Sequence, residues 1–277
     1  MFGNLIAEIA SKYEKARGES LTGHSLAKVI RSQWPTTARS LVADALESEL
    51  CVKASAGQGR WADSPWLAVF HSHITSGAKS GFYPVYLFEP GFETVCLVMG
   101  QGAETLTTAL GRRALPELAR RAALLRQLGG QWREAGFNDG PFRTLKSVTR
   151  PSRGDVDSDP WSLSAAFGKR YVVAALPDDK VLAEDLKAML KLYKAMVNVP
   201  QLRFDAWDAS VEALKDAGEL PAGSIEGVKR TVEHKRLERR SRDRKLVKAV
   251  KARLGTSCQA CGYSLESLYG ASMDGYI

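Results

Sequence analysis

Apolar residues in the first part of the chain recur three or four positions apart, the spacing that puts them on one face of a helix. Phe2, Ile6 and Ile9 show this spacing first, and the polar run 22–25 supplies capping residues for a second helix. The run 34–37 contains a proline followed by two threonines, and it predicts a break and a new helix start. The chain therefore opens with helices.

From residue 49 onward the apolar residues form short runs bounded by glycine, proline and polar residues, a pattern typical of strands. The predicted strands are 50–52, 66–70, 83–88, 94–99 and 171–176. Helical spacing returns at 102–127 and 177–197, while 130–165 is rich in Gly, Pro, Ser and Asp and predicts loops. These elements indicate an α+β domain with a small mixed or antiparallel, barrel-like sheet flanked by helices.

Composition narrows the class of protein without identifying it. The 277 residues are 44% apolar and 25% charged, as in an ordinary globular protein. No stretch approaches the ~20 apolar residues that span a bilayer, and residues 1–8 lack a signal-peptide pattern, which predicts a cytoplasmic protein that does not bind membranes. Cys51 and Cys96 stand in apolar, strand-like surroundings and are interpreted as buried free thiols.

Nearly all of the positive charge lies in one segment. Residues 223–254 contain twelve Lys and Arg against four Asp and Glu, an excess equal to the net charge of +8 of the whole chain. The centre of this helix-forming segment carries Arg239, Arg240, Arg242, Arg244 and Lys245. Such a one-signed run predicts contact with DNA phosphates, the alternative being a solvated helical face.

An aromatic stretch between Gly57 and Trp66 carries the second candidate site. It contains Trp61, Ser64 and Trp66, and Gly57 and Gly59 permit positive φ or close backbone approach. The following loop adds the candidates Ser76, Lys79, Ser80, Phe82 and Tyr83. Aromatic faces with a few polar groups can stack on a base that has left the double helix, although both tryptophans could instead fill a core.

These motifs resemble the N-terminal domain of McrB-like restriction proteins. The likeness rests on the run 57–66, on the segment 75–88 and on the pair Gln101-Gly102, and it extends over about residues 1–198. The resemblance implies a module of modification-dependent restriction that recognises double-stranded DNA carrying a methylated or otherwise modified cytosine. The aromatic stretch predicts that this base is taken up by base flipping. By analogy with other base-flipping proteins, the resemblance also makes a PUA-like barrel the expected fold.

A Cys-x-x-Cys pair, Cys258 and Cys261, follows the basic segment. With the Gly-Tyr that comes next it resembles the front part of an HNH endonuclease domain, and the two thiolates would supply half of a structural zinc site. In that family, catalytic histidines follow this motif and bind a divalent metal that activates water. All four histidines of this sequence precede it, which predicts a chain that binds DNA without cutting it. His71 and His73 alternate at strand spacing, but two histidines are more often structural than metal-binding.

The predicted organisation has three parts: residues 1–200 as a DNA-recognition domain, 201–228 as a linker, and 229–277 as a basic helix with an incomplete HNH domain. Through that nuclease part the protein could form a homodimer. The competing hypothesis is a non-catalytic module that binds protein or nucleic acid, with only nonspecific affinity for DNA. A preference for DNA that carries modified cytosine would distinguish the two.

Overall fold

A computed structural model of the protein describes residues 1–143 and 159–202. All of them belong to Met1–Ala222, the first of the two units into which the chain divides. The basic segment and the Cys-x-x-Cys pair, with the predictions that rest on them, lie outside the described residues. Within the described part, no helix is long and apolar enough to cross a membrane.

An antiparallel five-stranded sheet forms the centre of the domain, with the strands adjacent in chain order. The strands are β1 (Leu50–Gln58), β2 (Arg60–His71), β3 (Phe82–Phe88), β4 (Thr94–Gln101) and β5 (Phe167–Val172). The α+β class and the antiparallel sheet are confirmed. The sheet is an open meander, since no ladder between described residues joins β5 to β1.

The stretch 57–65 differs from the loop that the sequence predicts, because it forms the tip of a β1–β2 hairpin. Gly57 pairs with Trp61 and Gln58 with Arg60, so β2 begins six residues before Trp66. Register shifts between Ser55 and Gly57, which marks a bulge. Gly57 and Gly59, which in the sequence suggest a loop, are the residues that allow the two long strands to reverse direction.

The second and third N-terminal helices run on through a π-helical turn without the predicted break. The N-terminal elements are α1 (Phe2–Ala16), α2 (Ser25–Lys28), a π-helical turn (Val29–Gln33) and α3 (Trp34–Leu41). The prediction of a break at Pro35 is wrong because the backbone N–H of Trp34 bonds to Val29 five residues back. The wider turn accommodates the proline within the first turn of α3.

The helical stretch predicted for 102–127 is interrupted. It contains α4 (Glu104–Leu110), a 3₁₀ turn at Gly111 where φ is +57°, and α5 (Ala114–Leu128). Arg121 on α5 is buried and forms a 2.8 Å ion pair with Glu117. These helices and α6 (Pro160–Ser164) share a small apolar cluster around Leu106 and Leu118.

One face of the sheet is covered by α1 and by α7 (Asp179–Val197). The ring of Phe2 on α1 meets Tyr86 on β3 at 5.5 Å, and Tyr193 on α7 meets Phe82 at 5.6 Å. Asp185 on α7 accepts hydrogen bonds from Lys169 (2.7 Å) and from Tyr171 (2.8 Å) on β5. The main apolar core therefore lies between this face and the helices.

Candidate functional site

The opposite face of the sheet forms the floor of a cavity of about 680 Å³. Three cross-strand pairs lie on that floor: Trp66 faces Leu87, Val85 faces Val98, and Tyr83 faces Gly100. Because side chains alternate along a strand, these residues point away from the helix-covered face that holds Phe82 and Tyr86. A cavity of this size is within the range of small-molecule sites in proteins.

The walls of the cavity come from three other parts of the chain. The segment after α1, the tip of the β1–β2 hairpin and the end of α6 all contribute. These wall residues are Arg17, Glu19, Ser20, Leu21, Gly59, Arg60, Trp61, Ala62, Asp63, Trp161, Ser164 and Ala165. The floor is apolar and aromatic, whereas the charged groups come from the walls. An ion pair of 3.2 Å joins Arg17 to Asp63 there, and Arg60 is exposed.

Trp61 is a fixed part of the wall. Its side chain is 9% exposed, and its indole N–H donates a 2.9 Å hydrogen bond to the carbonyl oxygen of Glu19. The ring makes edge contacts with Tyr13 at 5.2 Å and with His24 at 5.0 Å. Trp61 thus packs as a core residue and also lines the cavity.

Trp66 and Tyr83 present aromatic surface on the cavity floor. Trp66 is half-buried and contacts Phe70 edge-on, with ring centroids 6.2 Å apart. The hydroxyl of Tyr83 donates a 2.8 Å hydrogen bond to the carbonyl oxygen of Ala78. Burial raises the pKa of Tyr83 far above its ordinary value, so this aromatic floor stays uncharged.

Ser64 lines the cavity, but its hydroxyl is engaged with the backbone. It accepts a 3.2 Å hydrogen bond from the N–H of Phe88 and lies 3.3 Å from the carbonyl oxygen of the same residue. The hydroxyl thereby joins β2 to the end of β3. A ligand would have to compete with this bridge to reach it.

Four other candidate residues do not line the cavity. Phe82 is fully buried on the helix-covered face. Lys79 is exposed and forms an ion pair of 3.2 Å with Glu104. Ser76 is exposed and its backbone oxygen accepts from Lys53, while Ser80 lies partly buried in the same β2–β3 connection. The structure thus brings together Trp61, Ser64, Trp66 and Tyr83 from the predicted set.

Residues that the sequence did not single out for chemistry complete the cavity. Gln101 belongs to the pair that carried the family resemblance, yet nothing in its neighbours indicated a role. Trp161 comes from α6, far from the aromatic stretch in sequence. Only the packing of α6 beside the end of β4 could reveal either residue.

The described residues contain no group of three or more His, Cys, Asp or Glu placed to hold a metal ion. His71 and His73 stand side by side, with rings 5.1 Å apart, and the Nδ1 of His71 accepts from the backbone N–H of His73 at 3.2 Å. Burial is the main cause that lowers the pKa of His71, and the nearby His73 adds to it. We interpret both histidines as structural residues rather than metal ligands.

Residues 8–198 match the model of a protein family described as the MrcB-like N-terminal domain. The chain belongs to this family. The match covers α2 to α7, the second half of α1, the whole sheet and every described residue of the cavity. A search of curated proteins finds no match to the chain. Membership of the MrcB-like family supports a role in DNA recognition within a restriction system.

Proposed function

We propose that this MrcB-like domain recognises double-stranded DNA by receiving a modified cytosine, flipped out of the helix, in the cavity on the open face of the sheet. The single observation that carries the proposal is the cavity itself, with an aromatic and apolar floor and about 680 Å³ of space. Extruding a base costs a few kcal/mol, and stacking on aromatic side chains can return about 1 to 3 kcal/mol per base.

The apolar floor favours a cytosine that carries an added methyl group. Val85, Leu87 and Val98 lie beside Trp66 and can cover such a group. An additional methyl in an apolar pocket changes affinity by about tenfold or more. The size of the cavity also leaves room for a substituent larger than methyl.

The test is a gel-shift competition at fixed salt between duplexes that differ only in methylation of one cytosine. We expect the full chain to bind the methylated duplex about tenfold more tightly. Equal affinity would reject the modified-base proposal. Binding that is equal and also vanishes at moderate salt would favour a non-catalytic module with nonspecific affinity instead.

Changing Trp66 to Ala should weaken binding to the methylated duplex by between about fivefold and a hundredfold, since a stacked base loses its aromatic partner. Trp66→Phe, which keeps an aromatic face, should retain most of the affinity. The same competition measures both, with thermal unfolding as the check on folding. If Trp66→Ala binds as tightly as the unchanged protein, the base does not stack on this residue.

Arg60 is exposed at the hairpin tip and lines the cavity, and we propose that it contacts a phosphate as the DNA approaches. Arg60→Ala should weaken binding to the methylated and to the unmethylated duplex by the same factor. It should also reduce the slope of log affinity against log salt by about 0.9. Lys12→Ala, which removes an exposed cation from α1, serves as the control and should change neither. A loss confined to the methylated duplex would contradict the assignment.

Cleavage is proposed on sequence resemblance alone. The order of basic segment and Cys-x-x-Cys pair supports an HNH endonuclease domain, with zinc at Cys258 and Cys261 and a divalent metal for the reaction. These residues lie outside the described part of the chain. The domain described here would supply recognition, and a separate nuclease part would supply the chemistry.

A further inference from the structure

Gln101, the last residue of β4, is one of the residues that line the cavity, and one polar atom of its side chain lacks a hydrogen-bond partner among the described residues. Its side chain is 2% exposed. The amide nitrogen Nε2 donates a 2.8 Å hydrogen bond to the carbonyl oxygen of Leu118 on α5. The amide oxygen Oε1 is buried and has no hydrogen-bond partner among the described residues.

The orientation of this amide is set by its surroundings. A backbone carbonyl oxygen can only accept a hydrogen bond, so the nitrogen of Gln101 must face Leu118 and the oxygen must face away from it. Leu118 is fully buried in the small apolar cluster of α4, α5 and α6. The packed helix α5 therefore fixes the position of the acceptor Oε1.

A buried acceptor without a donor is unfavourable, and such groups are rare in folded proteins. Oε1 has almost no solvent-accessible surface, so it gains a donor only from a ligand group that reaches it. A ligand that packs against Oε1 without an N–H or O–H leaves this acceptor unsatisfied, whereas a ligand with such a donor gains a hydrogen bond. The site therefore distinguishes ligands that present a hydrogen-bond donor to Oε1 of Gln101 from ligands that do not.

We infer that Gln101 is a specificity-determining residue, which accepts a hydrogen bond from the exocyclic amine of a flipped cytosine. This inference rests on the proposed function. An apolar floor that covers a 5-methyl group would accept thymine as well, because thymine carries the same methyl. Thymine has a carbonyl oxygen where cytosine has its amine, so two acceptors would meet at Gln101. Gln101 thereby excludes thymine, which every DNA contains.

The decisive experiment changes the base and leaves the protein intact. The full chain is offered duplexes with 5-methylcytosine or with 5-methyl-2-pyrimidinone, which lacks only the amine, at one position opposite guanine. We expect the amine-free base to bind at least about tenfold more weakly. Since that base pairs less well and flips more readily, weaker binding cannot be attributed to the cost of flipping. Equal or tighter binding would overturn the inference.

The variant Gln101→Met completes the comparison, because methionine has a similar length and no amide oxygen. We expect it to bind both duplexes with nearly equal affinity, and a thermal melt reports whether it folds. A variant that folds and still prefers the amine by the original factor would refute the role of Gln101. Should the variant fail to fold, the two-base comparison on the unchanged protein still decides.

The inference and the proposed function can fail separately. If methylated and unmethylated duplexes bind alike and Trp66→Ala has no effect, no base occupies the cavity and the proposed function fails. If methylation is preferred and Trp66 matters but removal of the amine has no effect, only the role of Gln101 is lost.

Discussion

Replacing Trp61 with Ala is expected to destabilise the domain by about 3 to 5 kcal/mol, the range for removing a large buried aromatic side chain. The ring fills the junction between Tyr13, His24 and the hairpin, and its N–H satisfies the carbonyl oxygen of Glu19. Tyr13 depends on the same junction, because its hydroxyl reaches the carbonyl oxygens of Ala56 and Ala62 at 3.1 and 3.0 Å. Urea denaturation measures the loss.

Two further variants separate the parts of this effect. Trp61→Phe keeps one packed ring but removes the indole hydrogen bond and part of the buried ring volume, so its loss should be about 1 to 3 kcal/mol and smaller than that of Trp61→Ala. Trp66→Ala should cost less stability than Trp61→Ala, since Trp66 is half-buried, and should act mainly on DNA affinity. If Trp61→Ala leaves the unfolding curve unchanged, the packing of Trp61 does not stabilise the domain.

Replacing Gly57 with Ala is expected to reduce stability by about 3 kcal/mol or more, through strain and overpacking together. Gly57 has a φ of +122°, and an added Cβ would lie 2.1 Å from the carbonyl oxygen of Arg60 and 2.4 Å from the nitrogen of Ala62. Those contacts are with backbone atoms of the facing strand, so the hairpin would have to open. The walls formed by Trp61 and Asp63 would move with it.

Gly59→Ala is the matched control for this prediction. Gly59 lies at the tip of the same hairpin with a φ of +71°, but a Cβ there meets no atom within 4 Å. Only the left-handed conformation is unfavourable, which costs about 1 to 2 kcal/mol. Both variants are measured by urea denaturation and by the methylated-duplex competition. Equal losses for the two glycines would show that close approach at Gly57 has no energetic consequence.

Local sequence patterns were sufficient for the elements whose formation depends on neighbouring residues. The helices α1 and α7 and the strands β3 and β4 lie close to where apolar spacing predicts them. The glycines of the hairpin also reveal their positive φ in sequence, because few other residues adopt it. The prediction failed at Pro35, which lies within a helix because the π-helical turn before it accommodates the ring, and apolar spacing does not indicate such a turn.

The sequence by itself determined that aromatic residues and glycines cluster in one stretch, and the MrcB-like family membership follows from their order. It could not show which aromatic residues face the cavity. Phe82 and Tyr83 are neighbours on one strand and necessarily point to opposite faces, but only the packing of α7 decided which face is covered. The place of Gln101 in the cavity was also decided by tertiary packing, because its side-chain amide is hydrogen-bonded to α5, which lies outside the sheet. Strand alternation is a local property, whereas the choice of the open face belongs to the whole fold.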